Sequence, residues 1–182
     1  VDSFADDDIR KELFTFVGEK EDGIYEGKVY SAICKFLPFK TDESEIDNRR
    51  SDPFLLRVSE MYLIHAEALC LGSSKDLEAA AADVKALRAR ALGVDASEIS
   101  LSYSSAEDLD RIVQEERAKE LCFEGHRFFD LKRRHENVVR YEGTSSHTKV
   151  LEYPNYRYAQ PIAHLEMQAN EHMVQNDGYS NN

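Results

Sequence analysis

Apolar and polar positions alternate with a helical period through much of the chain after residue 53. From Phe54 to Leu71, apolar residues recur at Leu55, Val58, Tyr62, Ala66 and Leu69, with Met61, Ile64, His65 and Ala68 beside them. That spacing lays a wide apolar stripe on one helix. Asp52-Pro53 supplies a carboxylate cap and a proline at the first helical position, where its missing N–H costs nothing, and Gly72 stops the element. Leu77, Ala80, Ala81, Val84, Leu87 and Ala91 share one side of a second helix that Gly93 ends. Few residues separate the two helices, which predicts an antiparallel hairpin. Small residues at Ala66, Ala68 and Ala80 allow close approach.

Ser104 and Glu107 have the spacing of a capping box. A long helix is predicted from Ala106 to Arg134 through Leu109, Ile112, Val113, Leu121, Cys122, Phe128, Phe129 and Leu131. Gly125 falls inside it at a cost of about 1 kcal/mol relative to alanine, which marks a close neighbour or a kink. Elsewhere the pattern is weaker. "SFADDDIRKELFTF" reads as a short helix starting near Ser3 or Asp6, Tyr25 to Phe36 as one or two short strands or irregular chain, and 40–52 as a polar connector. The stretches 94–103 and 142–148 read as loops, and 151–182 as an extended segment with a short helix near Leu165. The expected fold is mostly α, built on helix pairs, with irregular loops and at most short strands. Residues 1–52 form an irregular segment and 53–182 the helical domain.

Charge narrows the partners. The 182 residues carry a formal net charge of −12, which argues against a nucleic-acid partner. The local basic clusters Arg88/Arg90 and Lys132-Arg133-Arg134 read as solvated helix faces. The three cysteines, Cys34, Cys70 and Cys122, show neither zinc-site spacing nor a disulfide framework, and Cys70 and Cys122 read as buried free thiols. No apolar run reaches the ~18 residues of a membrane span. The chain starts at Val1, as a processed or truncated product does, so the lack of a targeting segment says nothing of its parent.

Candidate chemistry concentrates in "ERAKELCFEGHRFF". Arg117, Glu120, Glu124 and Arg127 recur at three, four and three, and Asp130 extends the stripe. The earlier helix carries Arg57, Glu60 and Glu67 near its apolar face. Exposed pairs of this kind contribute only about 0.2–0.5 kcal/mol each. A buried interhelical network adds little net stability, yet losing one partner costs about 3–5 kcal/mol. An acid/base site of Glu120 or Glu124 with His126 is the third reading, but on a helix His126 faces away from Glu124. Arg57, Glu60, Glu67, Arg117, Glu120, Glu124, Arg127 and Asp130 are therefore expected to form a structural ion network. No catalytic residues, metal ligands or cofactor motif are read from the chain: H-E-x-x-H, G-x-S-x-G and P-loop patterns do not occur. His65 is the histidine best placed to face the core.

"PFLLRVSEMYLIHAEALC" (Pro53 to Cys70), "EERAKELCFEGHRFFDLKRR" (Glu115 to Arg134) and "QPIAHLEMQANEHMVQNDGY" (Gln160 to Tyr179) resemble, in order, the C-terminal half of the SusD/RagB family. The chain departs from the family pattern at Arg134, where tryptophan is usual, and at Glu171, where proline often follows asparagine. The resemblance implies tetratricopeptide-like helix pairs in a SusD-like α/α superhelix, and the first helix pair looks like one such unit. It implies a non-enzymatic nutrient binder, for glycans or peptides, in an outer-membrane uptake complex with a TonB-dependent, SusC-like transporter. It places the parent as a lipoprotein facing outward on the outer membrane of a Bacteroidetes-type cell, anchored through a lipid in an N-terminal part missing here. The alternative is a helical-repeat scaffold that binds only proteins. For a glycan binder, ring-stacking candidates are Tyr25, Tyr30, Tyr103, Tyr141, Tyr153, Tyr156 and Tyr158. "EYPNYRY" is the densest aromatic stretch outside the helices, and is expected to pack back on them as a tail clamp. No ligand-binding residue is assigned.

Overall fold

A computed structural model describes residues 3–17, 29–31, 33, 35, 36 and 55–180. The Asp52-Pro53 cap, the connector 40–52, Tyr25 and Cys34 lie outside the described residues. The chain divides into two compact units, Val1–Glu124 and Gly125–Asn182.

In the first unit, the helix expected near Ser3 or Asp6 is a 3-10 helix over Ile9–Phe14, entered where Asp8 accepts a hydrogen bond from the Arg10 backbone at 2.9 Å. It leads into β1 (Thr15–Val17), which pairs antiparallel with β2 (Val29–Ser31) in the register Thr15↔Ser31 and Val17↔Val29. The first α-helix, α1, covers Val58–Leu71 rather than starting at Phe54. Arg57 stands at its N-cap in extended backbone, its guanidinium drawn to Glu120, Glu124 and the Ser59 hydroxyl. Helix α2 (Leu77–Leu92) follows its sequence pattern, with the Asp76 side chain accepting from the Ala79 backbone and Gly93 ending it. Helix α3 (Ala106–Glu120) starts one residue later than its capping box implied: Ser105, not Ser104, accepts from the Asp108 backbone at 3.1 Å.

These three helices pack on one another, and their core is Leu63, Ala66 and Cys70 of α1, Ala80, Ala81, Val84 and Leu87 of α2, and Leu109 and Val113 of α3, closed by Leu121. Burying each Leu or Val stabilises the unit by about 1.5–3 kcal/mol. The face of α1 differs from the expected one. Leu55, Val58, Tyr62 and Met61 are exposed, and the inward positions are Glu60, Leu63, Ala66 and Cys70. His65 also points outward, its Nδ1 2.7 Å from the Asp83 carboxylate of α2, rather than into the core.

The long helix expected over 106–134 is broken. α3 stops at Glu120, and α4 begins at His126 after a turn in which Phe123 and Gly125 have φ of 63° and 85°. The cause lies in the carbonyls. Lys35 Nζ donates to the Glu120 and Cys122 oxygens at 2.9 and 3.0 Å, and Arg57 Nη2 donates to the Glu120 oxygen as well. Two cations thus satisfy the orphan carbonyls and the negative end of the α3 dipole, which removes acceptors that a continued helix would use.

In the second unit, α4 (His126–Arg133) precedes a two-stranded pair, β3 (Val138–Val139) and β4 (Val150–Leu151), joined antiparallel with Val138 opposite Leu151. Tyr158, in a 3-10 helix over Tyr156–Tyr158, stacks on Phe128 of α4 with centroids 5.7 Å apart. Its hydroxyl lies 2.7 Å from the Glu136 carbonyl and accepts from the Val138 N–H at 3.1 Å, tying the tail to β3. After α5 (His164–Ala169) the chain returns beside 159–162. Gln175 bonds both the N–H and the carbonyl of Ile162, and Tyr179 donates to the Ala159 carbonyl at 3.0 Å. The chain is mostly α, as its pattern predicts.

Candidate functional site

The charged cluster of the first unit is assembled from α3, the N-terminus of α1, α2 and the 3-10 helix. Glu116 and Glu120 lie one turn apart on α3, and both side chains are only 1% exposed. Glu120 accepts from Arg57 Nη1 at 2.6 Å, from Arg10 Nη1 at 2.9 Å, and from Arg90 Nη2 at 2.8 Å on both carboxylate oxygens. Glu116 accepts from Arg10 at 2.6 Å and from Arg88 Nε at 2.7 Å. Glu124, in the turn after α3, takes Arg57 Nε and Nη2 at 2.8 and 2.7 Å and also Lys35 Nζ. Arg117 reaches Glu60 of α1 at 3.3 Å.

These contacts fix the charge states. Burial opposes the charge on Glu120, but hydrogen bonds from Arg57 and Arg10 and the charges of Arg90 and Arg57 outweigh it and hold its pKa at about 2. Glu124 is also lowered against the pull of burial, by hydrogen bonds from Arg57 and Lys35. Arg10 and Arg57 are raised, burial being overcome by their carboxylate partners. A carboxylate held this low donates no proton at neutral pH. A hollow of about 430 Å³ opens beside the network between Leu13 and Phe14 on one side and Arg57, Arg90 and Lys119 on the other. Glu120 reaches its wall with both oxygens already engaged.

Of the residues expected to pair, Arg57, Glu120 and Glu124 are brought together, and Arg117 meets Glu60. Glu67 is half-buried on α1, where its charge helps burial push the Cys70 thiol up to about 11. Arg127 and Asp130 belong to the second unit: Arg127 is exposed on α4, and Asp130 is buried and accepts from Arg133 at 3.1 Å. Sequence reasoning missed Asp8, Arg10, Lys35 and Glu116. Arg88 and Arg90 are ion-pair donors to α3; Arg88 is half-buried, whereas Arg90 pairs while staying on the solvated face expected of it. Cys122 is half-buried in the turn rather than in a helix. Among the described residues no group of His, Cys, Asp or Glu is arranged to hold a metal ion, and no helix is long and apolar enough to cross a membrane.

The second unit carries an open basin of about 900 Å³. Phe129 and Lys132 of α4, Tyr153, Tyr156, Asn155 and Asp177 contribute to its walls. Tyr153 stacks on His135 with centroids 4.6 Å apart and meets Tyr158 edge-on at 5.2 Å. Tyr156 meets Tyr179 edge-on at 5.0 Å. Gly178 lies so close behind Tyr156 that a Cβ there would sit 2.4 Å from the ring. The aromatic stretch therefore does two things: Tyr158 clamps the tail, while Tyr156 remains 43% exposed at the basin. Of the other ring candidates, Tyr103 packs on the helical core and Tyr141 is exposed in the β3–β4 connection. Tyr30 falls in β2.

The helical core, the broken α3–α4 junction and the aromatic tail are those of a mostly α protein. The SusD family model matches residues 19–179, and the chain belongs to that family. It is similar to a SusD superfamily protein from Bacteroides vulgatus ATCC 8482, at 28% identity and a TM-score of 0.66 over 95% of this chain and 36% of that one. A SusD-like carbohydrate binding protein from the same organism shares 32% identity at a TM-score of 0.57, over 77% of this chain and 27% of that one. A SusD superfamily protein from Parabacteroides distasonis ATCC 8503 shares the fold at 22% identity and a TM-score of 0.69, over 98% of this chain and 40% of that one. The chain thus spans about a third of the length of these relatives. None of the curated proteins matches it.

Proposed function

We propose that the protein is a carbohydrate-binding, non-catalytic component of an outer-membrane nutrient-uptake complex. The observation that carries this reading is the family match across 19–179. The site chemistry supports it. Glu120 and Glu124, the carboxylates best placed for acid/base work, are locked as anions by Arg10, Arg57, Arg90 and Lys35, while the basin of the second unit offers aromatic edges beside amide and charged groups. Rings flanked by a few polar groups are how proteins hold sugars. In this reading the parent is a lipid-anchored, outward-facing protein whose partner is a TonB-dependent transporter, and its cargo is a glycan, with a peptide nutrient as the other candidate.

A second reading, a helical scaffold that binds only proteins, draws on the exposed apolar side chains of α1: Val58, Met61 and Ile64. A glycan array probed with the intact protein, and purification of its complexes from solubilised outer membranes, separate the two. Saccharide binding together with a co-purifying transporter is the expected result. A blank array with a protein partner that is not a transporter overturns the uptake reading.

A further inference from the structure

The basin of the second unit has the chemistry of a saccharide subsite, and its open valences define the saccharide. Phe129, on the outer face of α4, is 67% exposed, whereas Tyr156 is enclosed by Gly178 behind, Tyr179 at its side and the Arg157 guanidinium over its ring at 5.6 Å, and offers an edge rather than an open face. An aromatic ring kept out in water by a rigid surround is a ready surface for the C–H face of a pyranose, because no ordering of the ring is needed on binding.

The polar groups are half-committed. Asn155 Oδ1 accepts from the Arg157 backbone at 3.1 Å, which fixes the amide plane and leaves its NH₂ without a partner among the described residues. Asn176 Nδ2 donates to the Gln160 carbonyl at 2.6 Å, which leaves its Oδ1 open as an acceptor. Lys132 and Asp177, both exposed, have no protein partner among the described residues. Two donors and two acceptors therefore line a basin of about 900 Å³, the Asn155 and Asn176 amides held by their backbone partners, while Arg133 on the same wall pairs with Asp130 at 3.1 Å. Hydroxyl groups, which donate and accept at once, satisfy such a mixed set. A carboxylated sugar would gain Lys132 but meet Asp177, and an amino sugar the reverse.

The geometry points to a subsite for a neutral oligosaccharide, with Phe129 stacking against a pyranose ring, Tyr156 bordering it edge-on, and Lys132, Asn155, Asn176 and Asp177 bonding its hydroxyls. This assignment rests on the carbohydrate-binding reading above and specifies where and what that reading binds. The test is calorimetric titration of the whole protein with neutral hexasaccharides of glucose, xylose and mannose, and with oligogalacturonate. Wild type, Phe129→Ala and Asp177→Ala are compared, each checked by thermal unfolding.

One neutral hexasaccharide is expected to bind, and each substitution to weaken it by about tenfold while the unfolding temperature stays at the wild-type value, since both side chains are exposed. Undiminished affinity in both variants overturns the subsite and leaves the carbohydrate reading standing, with its site elsewhere. Binding of oligogalacturonate alone overturns the neutral class. No binding by any probe also overturns the subsite, whereas the functional reading falls only if the glycan array is blank too.

Discussion

Glu120 shows how the buried charges of the first unit are paired. Its carboxylate meets Arg10, Arg57 and Arg90 at once, and the hydrogen bonds of Arg57 and Arg10 with the charges of Arg90 and Arg57 outweigh the burial that would otherwise neutralise it. Its folded pKa of about 2 lies below the ordinary 4.5, so folding is favoured wherever the unfolded carboxyl binds more protons. The sign follows. The contribution is full above pH 4.5 and is lost as pH falls toward 2, amounting to about 3 kcal/mol. Acid titration of stability is expected to show this loss in wild type. In Glu120→Gln, already destabilised at neutral pH, the slope between those pH values should be visibly shallower; denaturant melts at several pH values measure it. The sequence showed Glu120 because three- and four-residue spacings mark a helix face. It hid Arg10 and Lys35, which meet α3 across 106 and 85 residues, because nothing in a local period encodes so distant a partner.

At the level of elements, the break between α3 and α4 was half-legible. Gly125 flagged a kink, but the apolar period runs through it, and what ends the helix is the pair of cations on the Glu120 and Cys122 carbonyls. With φ of 85°, Gly125 holds a conformation that an L side chain resists. Gly125→Ala should therefore cost about 1–2 kcal/mol although the space around it is open, read as a lower denaturant midpoint at unchanged slope. The α2 face was legible because its apolar positions are confined to one side. The α1 face was not, because Val58, Met61, Tyr62, Ile64 and Leu71 make that helix apolar nearly all round, and periodicity then no longer selects the inward stripe.

For the molecule as a whole, each unit carries its own chemistry. Opposite charges fix where α1, α2 and α3 meet, and aromatic and amide groups stand open in the basin of the second unit. The tyrosines of that basin were visible in the sequence as a cluster. Their division into a clamp, Tyr158, and an exposed wall, Tyr156, came only from the fold, because it depends on β3 and Gly178. The account's central claim is that the ion network holds the structure and takes no part in recognition. Thermal unfolding of Glu124→Ala, with and without whichever saccharide the array finds to bind wild type, tests it most directly. Removing the carboxylate shared by Arg57 and Lys35 should lower the ligand-free stability by about 3 kcal/mol, the low end for a broken buried pair because Arg57 keeps Glu120 and Lys35 keeps two carbonyls, while the ligand-induced rise in unfolding temperature matches that of wild type. An unchanged ligand-free transition with no ligand-induced rise would contradict the claim.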